Sequence, residues 1–300
     1  MSVIFLFIDG IGLGDPGDQN PLINKRWDSF LELTNGYGLS RDTPDITNEE
    51  SLFFSIDANL GVKGLPQSGT GQASLFSGEN ASKIAGRHYG PFPHSKTRYL
   101  LEEKSLFHQA REAGFSTHFI NAYPDIFFEK MNQSNRWTCT TLMAKSVGQQ
   151  LNGEQQLREG KSITAEIIQN AWRKELNINI NKITPEEAAE RLIRVLEDYD
   201  LVLYEYYLTD KAGHSMNRNM SLNILEVLNR FIRHILRIKS KDDHLVISSD
   251  HGNIENLNVK THTRNRVPLI VHGSGNKSFK KPKSITDVPE IITGLLKTGQ

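Results

Sequence analysis

Val3-Ile-Phe-Leu-Phe-Ile8, closed at once by Asp9-Gly10, is the stretch on which the fold turns. Six consecutive β-branched, aliphatic and aromatic residues are too few for a helix. Without polar alternation they describe a strand covered on both faces, as at the centre of a parallel sheet. Runs of the same character recur at Leu201-Val-Leu-Tyr204, Leu245-Val-Ile-Ser248 and Val267-Pro-Leu-Ile-Val271. Between the first two of these, Leu222, Leu225, Leu228, Ile232, Ile235 and Leu236 fall at helical spacing, so strand, helix and strand form a crossover unit. Thr184-Pro185-Glu186-Glu187 predicts a helix start, with Thr as N-cap, Pro in the first position and Glu187 closing a capping box; this helix runs to about Glu197. Ser105 to Ala113 followed by Ser116 to Ile120 reads as a further helix and strand, and Ile285 to Leu296 as a final amphipathic helix. The alternation predicts an α/β fold, a doubly wound and mostly parallel sheet with helices on both faces. Residues 124–182 carry Gln- and Asn-rich patches and no clear period. They are expected to form a small inserted cap or lid, with residues 1–123 and 183–300 making the core domain.

Composition narrows the functional classes. With 37% hydrophobic and 23% charged residues, a chain of 300 residues is long enough to bury a real core. Lys plus Arg and Asp plus Glu balance at 35 each. Zero net charge leaves no global footprint for nucleic acid or an anionic membrane, and neither is expected as a partner. The sole cysteine, Cys139, excludes an intramolecular disulfide or a thiolate zinc knuckle and favours a reducing compartment. The apolar run at Val3 to Ile8 has no basic region before it and ends at Asp-Gly rather than at a small-residue cleavage site, so it reads as a strand and not as a secretory leader. No stretch of eighteen apolar residues occurs. The expected location is the cytoplasm.

Ligands of open α/β sheets collect past the carboxyl ends of the strands. Asp9 follows the first strand, Asp210 and His214 the Leu201 strand, and Asp250-His251 the Leu245 strand, while His262 lies in the loop before Val267. Carboxylates and imidazoles without thiolates suit Zn²⁺, Mn²⁺ or Fe²⁺, and six donors exceed the needs of one tetrahedral site. Taken singly, Asp9-Gly10 reads by default as a turn, Asp210 to His214 as a solvated loop and Asp250-His251-Gly252 as a helix cap. Their shared placement carries the metal reading. Gly64-Leu-Pro-Gln-Ser68-Gly-Thr70-Gly-Gln72-Ala-Ser-Leu-Phe-Ser-Gly78 adds a glycine-bracketed turn with hydroxyls at a helix start. Such a turn either merely caps the helix or offers N–H groups to an anion and a hydroxyl nucleophile to the metals.

Phe7-Ile-Asp9-Gly-Ile-Gly, Gln67-Ser68-Gly-Thr-Gly-Gln72, Asp210-Lys-Ala-Gly-His214, Ser249-Asp250-His251-Gly-Asn253 and Thr261-His262-Thr-Arg-Asn-Arg-Val-Pro268 occur in the order found in the alkaline phosphatase superfamily. The chain most resembles its branch of cofactor-independent phosphoglycerate mutases and phosphopentomutases, over about residues 1–90 and 185–297. The resemblance implies two divalent ions, Zn²⁺ or Mn²⁺. Asp210, His214 and His262 would hold one; Asp9, Asp250, His251 and the oxygen of Ser68 would hold the other. Ser68 is the implied nucleophile. Gln72 stands where the mutase motif has histidine, which keeps Thr70 as an alternative. The sulfatase sequence, Cys or Ser followed by x-Pro-x-Arg, is absent at Ser68 and Cys139, and the stretch between Ser68 and Asp210 is too short for a full phosphoglycerate mutase insertion. Arg87, His88, Lys96, Arg98, Lys211, Arg264 and Arg266 are candidate binders of a phosphate or second anionic group.

The expected activity is therefore that of a two-metal phosphomonoester hydrolase acting on a small phosphorylated substrate through a phosphoserine. A small phosphomutase of the same superfamily is the alternative. From another class, the alternative is a metal-binding regulatory or scaffold protein without turnover.

Overall fold

The computed structural model describes residues 1–274 and 280–298. Nine strands are formed among the described residues: β1 (Val3–Ile8), β2 (Ile46–Thr47), β3 (Ser51–Ile56), β4 (Thr117–Phe119), β5 (Asn121–Ala122), β6 (Ile163–Thr164), β7 (Leu201–Tyr206), β8 (His244–Ser248) and β9 (Val267–His272). Seven of them make one sheet in the order β2-β3-β9-β8-β1-β7-β4, and β5 with β6 makes a separate parallel pair. β1 lies inside the sheet, parallel to β7 on one side and β8 on the other, and β4 extends the parallel set beyond β7. Every residue of β1 is buried.

Period two explains that burial. Val3, Phe5 and Phe7 enter one hydrophobic core, packed with residues of the helices Ser68–Ser77, Leu106–Glu112, Cys139–Ser146 and Val288–Thr298. Ile4, Leu6 and Ile8 enter the other, with residues of Pro185–Leu196 and Arg218–Ile238. A continuous apolar run is what a strand needs when both of its faces are dry. Phe7 meets Phe76 edge-on at 5.3 Å between ring centroids, which fixes the helix Ser68–Ser77 against the centre of the sheet.

The helix starts follow their sequence signals. Thr184 accepts from the Glu187 N–H while Glu187 reaches back to the Thr184 N–H, the expected capping box. The helix read over 222–238 begins earlier, at Arg218, because the Asn217 side chain accepts from the Met220 N–H and caps it there. The closing helix opens with a 3₁₀ turn, Ile285–Asp287, before Val288–Thr298.

One strand runs against its expected direction. Val267–His272 has the composition of its parallel neighbours but is antiparallel to β8; β3 is antiparallel to β9 in turn, and β2 to β3. No helix separates β8 from β9, and without a crossover two adjacent strands can only reverse. This reversal brings the loop before β9, and with it His262, to the carboxyl edge of the parallel strands.

Residues 124–182 divide. The helix Cys139–Ser146 buries Cys139, Leu142, Met143 and Ala144 in the same core as β1, so this part of the stretch belongs to the body of the fold. Farther along, Leu157, Trp172 and Ile180 close with Ala122 into a small cluster of their own beside β5 and β6. The helix Asp125–Ser134 buries no residue fully and lies on the surface.

Candidate metal centre and nucleophile

Six donors and one hydroxyl converge at the carboxyl edge. Asp9 leaves the end of β1, Asp250 and His251 follow β8, Asp210 and His214 lie on the helix Leu208–Ser215 after β7, and Ser68 starts the helix Ser68–Ser77. His251 Nε2 lies 3.3 Å from Asp9 Oδ1, 3.4 Å from Asp250 Oδ2 and 3.0 Å from Ser68 Oγ. Asp210 places Oδ2 3.3 Å from His214 Nε2 and Oδ1 3.4 Å from His262 Nε2. The two sets adjoin through the rings of His251 and His262, stacked at 3.8 Å. All seven residues expected from the sequence are thus brought together. By mutual reach of ligand atoms, Asp9, Asp250 and His251 form one group, and Asp210, His262 and again His251 form another.

The donor chemistry fits cations. His214 Nδ1 donates to the Lys260 carbonyl and His262 Nδ1 to the Pro66 carbonyl, both at 2.7 Å. A carbonyl only accepts, so each Nδ1 carries a proton and each ring turns its Nε2 inward. Those two Nε2 atoms face each other at 3.1 Å. Lone pairs at that distance repel unless a positive charge lies between them. His262 is buried, which disfavours its charge, yet its hydrogen bond and attraction to Asp210 outweigh burial and raise its pKa. A proton there does the job of a cation.

The carboxylates point the same way. Burial first, then Asp250, Asp210 and Glu205, push Asp9 well above the ordinary carboxylate range. Burial and the Asp210 charge push Asp250 up to about 7. Burial opposes ionisation of Asp210 too, but its hydrogen bond with His262 and the field of His251 hold it below the usual range. Asp9 Oδ1 and both oxygens of Asp250 are buried without any hydrogen-bond partner. Stranded carboxylate oxygens beside inward lone pairs are unfavourable alone and become ligands once divalent ions are bound.

Other residues hold this geometry. Gln72, at the position of the mutase histidine, donates from Nε2 to Asp9 Oδ2 at 3.2 Å. Asn253 Nδ2 donates to Asp210 Oδ1 at 2.6 Å. Glu255, fully buried, accepts from the Gly12 N–H, the Asn253 N–H, the Thr263 hydroxyl and Asn265 Nδ2, and so binds together the loops that carry Asp9, Asp250 and His262. A Cβ at Gly12 would lie 2.3 Å from Glu255 Oε1, and one at Gly71 2.9 Å from the Asp250 carbonyl oxygen, so both glycines are needed for close approach.

Glu205 and Thr140 stand beside this set although the sequence does not single them out. Glu205 is buried in β7, accepts from the Thr140 hydroxyl at 2.6 Å, and is raised to about 7 by burial. Its signal was available, an acid inside an otherwise uncharged strand, Leu201-Val-Leu-Tyr-Glu-Tyr206. Thr140 had none, since its helix has no visible period.

The Metalloenzyme superfamily profile matches residues 1–298. The chain belongs to this superfamily. The chain is 23% identical over 303 residues to the 2,3-bisphosphoglycerate-independent phosphoglycerate mutase of Thermococcus gammatolerans, spanning 90% of this chain and 70% of that one. In fold it is similar to the PH0037 protein of Pyrococcus horikoshii, with a TM-score of 0.61 at 15% identity, covering 100% of this chain and 97% of that one. It is also similar to the alkaline phosphatase of the Antarctic bacterium TAB5, with a TM-score of 0.58 at 12% identity, covering 99% and 97%. The superfamily implies divalent metal ions, and its members are metal-dependent phosphoryl-transfer enzymes. Among the described residues, no helix of the chain is long and apolar enough to cross a membrane.

Proposed function

We propose that the protein is a two-metal phosphoryl-transfer enzyme that hydrolyses a small phosphomonoester by way of a phosphoserine at Ser68. The observation that carries this is the Ser68 hydroxyl, nearly buried at a helix start and 3.0 Å from His251 Nε2, within reach of an otherwise uncompensated set of carboxylates and imidazoles. Asp210, His214 and His262 hold one ion, and Asp9, Asp250 and His251 the other together with Ser68 Oγ. Oxygen and nitrogen donors of this kind favour Zn²⁺ or Mn²⁺. Bound there, a pair of divalent ions supplies charge stabilisation for the attacking and leaving oxygens of an in-line displacement.

The chain's own residues supply the rest. Gln72 and the Thr209 hydroxyl, which donates to the Asp9 carbonyl at 2.5 Å, fix Asp9. The Tyr89 N–H donates to Thr70 Oγ1 at 3.1 Å and the Thr70 N–H to the Tyr89 carbonyl at 2.8 Å, so Thr70 braces the turn that aims Ser68. Thr70 is thereby a support and Ser68 the nucleophile. The parts of residues 124–182 outside the core-packed helix Cys139–Ser146 act as the cap that shapes the substrate's surroundings. The core-packed helix Cys139–Ser146 within that stretch tethers it beside the nucleophile turn, Cys139 Sγ donating to the Gly69 carbonyl at 3.5 Å.

Hydrolysis rather than mutation is favoured by the modest size of that cap and its few arginines. Arg158 is already engaged by Glu154 and the Asn179 carbonyl, which leaves Arg136 and Arg173 as the remaining guanidinium groups of the cap to retain a product. The second reading is a small phosphomutase, favoured by the names of the relatives. Phosphorus NMR of a phosphoglycerate or sugar phosphate with metal present separates them. Free phosphate accompanies turnover if the protein is a hydrolase; full conversion to a positional isomer without free phosphate overturns that assignment in favour of the mutase.

A further inference from the structure

A cavity of about 460 Å³ opens beside the nucleophile turn, lined by Lys63, Gly64, Leu65, Gln67 and residues 87–90. Gln67 directly precedes Ser68. Residues 87–90 are bound to the same turn by the two Thr70–Tyr89 hydrogen bonds, and a Cβ on Gly90 would come within 3.2 Å of the Ser68 backbone nitrogen. The cavity therefore has the nucleophile turn as one wall.

Its charge is one-sided. No carboxylate lines it, whereas Lys63 and Arg87 do, both exposed and both outside any ion pair among the described residues. The Arg87 guanidinium lies over the Tyr89 ring, 5.3 Å from its centroid, which limits the side-chain freedom lost on gripping an anion. Arg264 joins them at the edge, its Nε donating to the carbonyl of Gly64 at 3.0 Å. Two other basic candidates from the sequence are committed elsewhere. Arg98 pairs with Glu102, and Arg266 is spent on the carbonyls of Ser55 and Lys283. Unpaired cations grouped at the wall of a reacting group make a local positive field that selects anionic ligands.

We propose that this cavity is the specificity subsite of the phosphoryl-transfer site. Lys63 and Arg87, with Arg264 at the edge, grip a second anionic group, carboxylate or phosphate, on the phosphomonoester whose phosphoryl group goes to Ser68. The proposal rests on the phosphoryl-transfer reading and narrows it to substrates with two anionic groups.

Two matched pairs of substrates test it: 3-phosphoglycerate against glycerol 3-phosphate, and glucose 1,6-bisphosphate against glucose 6-phosphate. The metal-loaded protein should show a higher kcat/KM for the doubly anionic member of at least one pair, and the identity of that pair distinguishes a carboxylate from a phosphate as the gripped group. Arg87→Ala and Lys63→Ala should each lower that preference by about tenfold, chiefly through KM, equivalent to about 1.4 kcal/mol, and raised salt should compress it. Both side chains are exposed, so neither substitution threatens folding. Turnover of both members with no preference, or a preference unchanged in Arg87→Ala and Lys63→Ala, sinks the subsite while leaving phosphoryl transfer standing. Absence of turnover on all four substrates and on p-nitrophenyl phosphate sinks the phosphoryl-transfer reading and the subsite with it.

Discussion

Two hydroxyls two residues apart, Ser68 and Thr70, make opposite use of their oxygen, and removing each in turn should separate bond formation from support. Ser68→Ala deletes the atom held 3.0 Å from His251 Nε2 and leaves the backbone of the helix start intact. What remains is catalysis by ions and substrate binding alone, and loss of a nucleophile from such a unit lowers turnover by on the order of 10⁴-fold or more. Thr70→Val is nearly isosteric but removes the acceptor of the Tyr89 N–H at a fully buried site. A buried donor left unpaired costs about 1–3 kcal/mol, which at roughly 2–4 °C per kcal/mol lowers Tm by several degrees. Turnover should survive Thr70→Val within about tenfold, since each 1.4 kcal/mol of misplacement corresponds to one factor of ten. The assay pairs p-nitrophenyl phosphate hydrolysis at saturating metal with acid quenching and intact-protein mass spectrometry for a phosphate adduct. Wild type and Thr70→Val should trap the adduct and Ser68→Ala should not. The opposite pattern, an active Ser68→Ala and an inert but folded Thr70→Val, would falsify the assignment and move the nucleophile two residues along.

Reloaded protein should bind close to two divalent ions per chain, and elemental analysis giving one or none at saturating metal would remove the two-ion reading. His214→Gln should empty one site preferentially, leaving about one ion per chain, because the Asp9, Asp250 and His251 group does not use it. Metal loading should release protons, measurable as buffer-dependent heat, since His262 is raised and Asp250 lifted to about 7 in the metal-free protein. Asp250 and Glu205, each raised to about 7, give a stability trend: with folded pKa values above their unfolded ones, the native state binds more protons, so their contribution to metal-free stability should be lost as pH rises from about 4 through 7. Bound metal should abolish that fall, and a flat profile in the metal-free protein contradicts the buried-carboxylate account. Trp172→Ala should destabilise the small cluster with Leu157 and Ile180 by about 3–5 kcal/mol, loosening the cap locally, while metal stoichiometry stays unchanged.

Much of the fold is written in local pattern. The apolar run Val3–Ile8 specifies a central strand because only burial on both faces removes all six side chains from water, and Thr184 to Glu187 specifies a helix start because side-chain caps satisfy N–H groups within four residues. The donors Asp9, Asp210, His214, Asp250, His251 and His262 are legible for the same reason, since strand ends in such a sheet share one edge. Long-range geometry is not written this way. The direction of β9 depends on which neighbour it meets, and its own residues have the composition of a parallel strand. The helix Cys139–Ser146 carries polar residues on the side that meets Glu205, so no hydrophobic period announces that it belongs to the core. Gln72 reads in the sequence as a missing histidine, and only the fold brings its amide to Asp9. The grouping of Lys63, Arg87 and Arg264 around one cavity is likewise tertiary. Charge on a surface residue says that it is solvated; which charges lack partners, and which reacting group they surround, is decided by chain segments that are distant in sequence and adjacent in space.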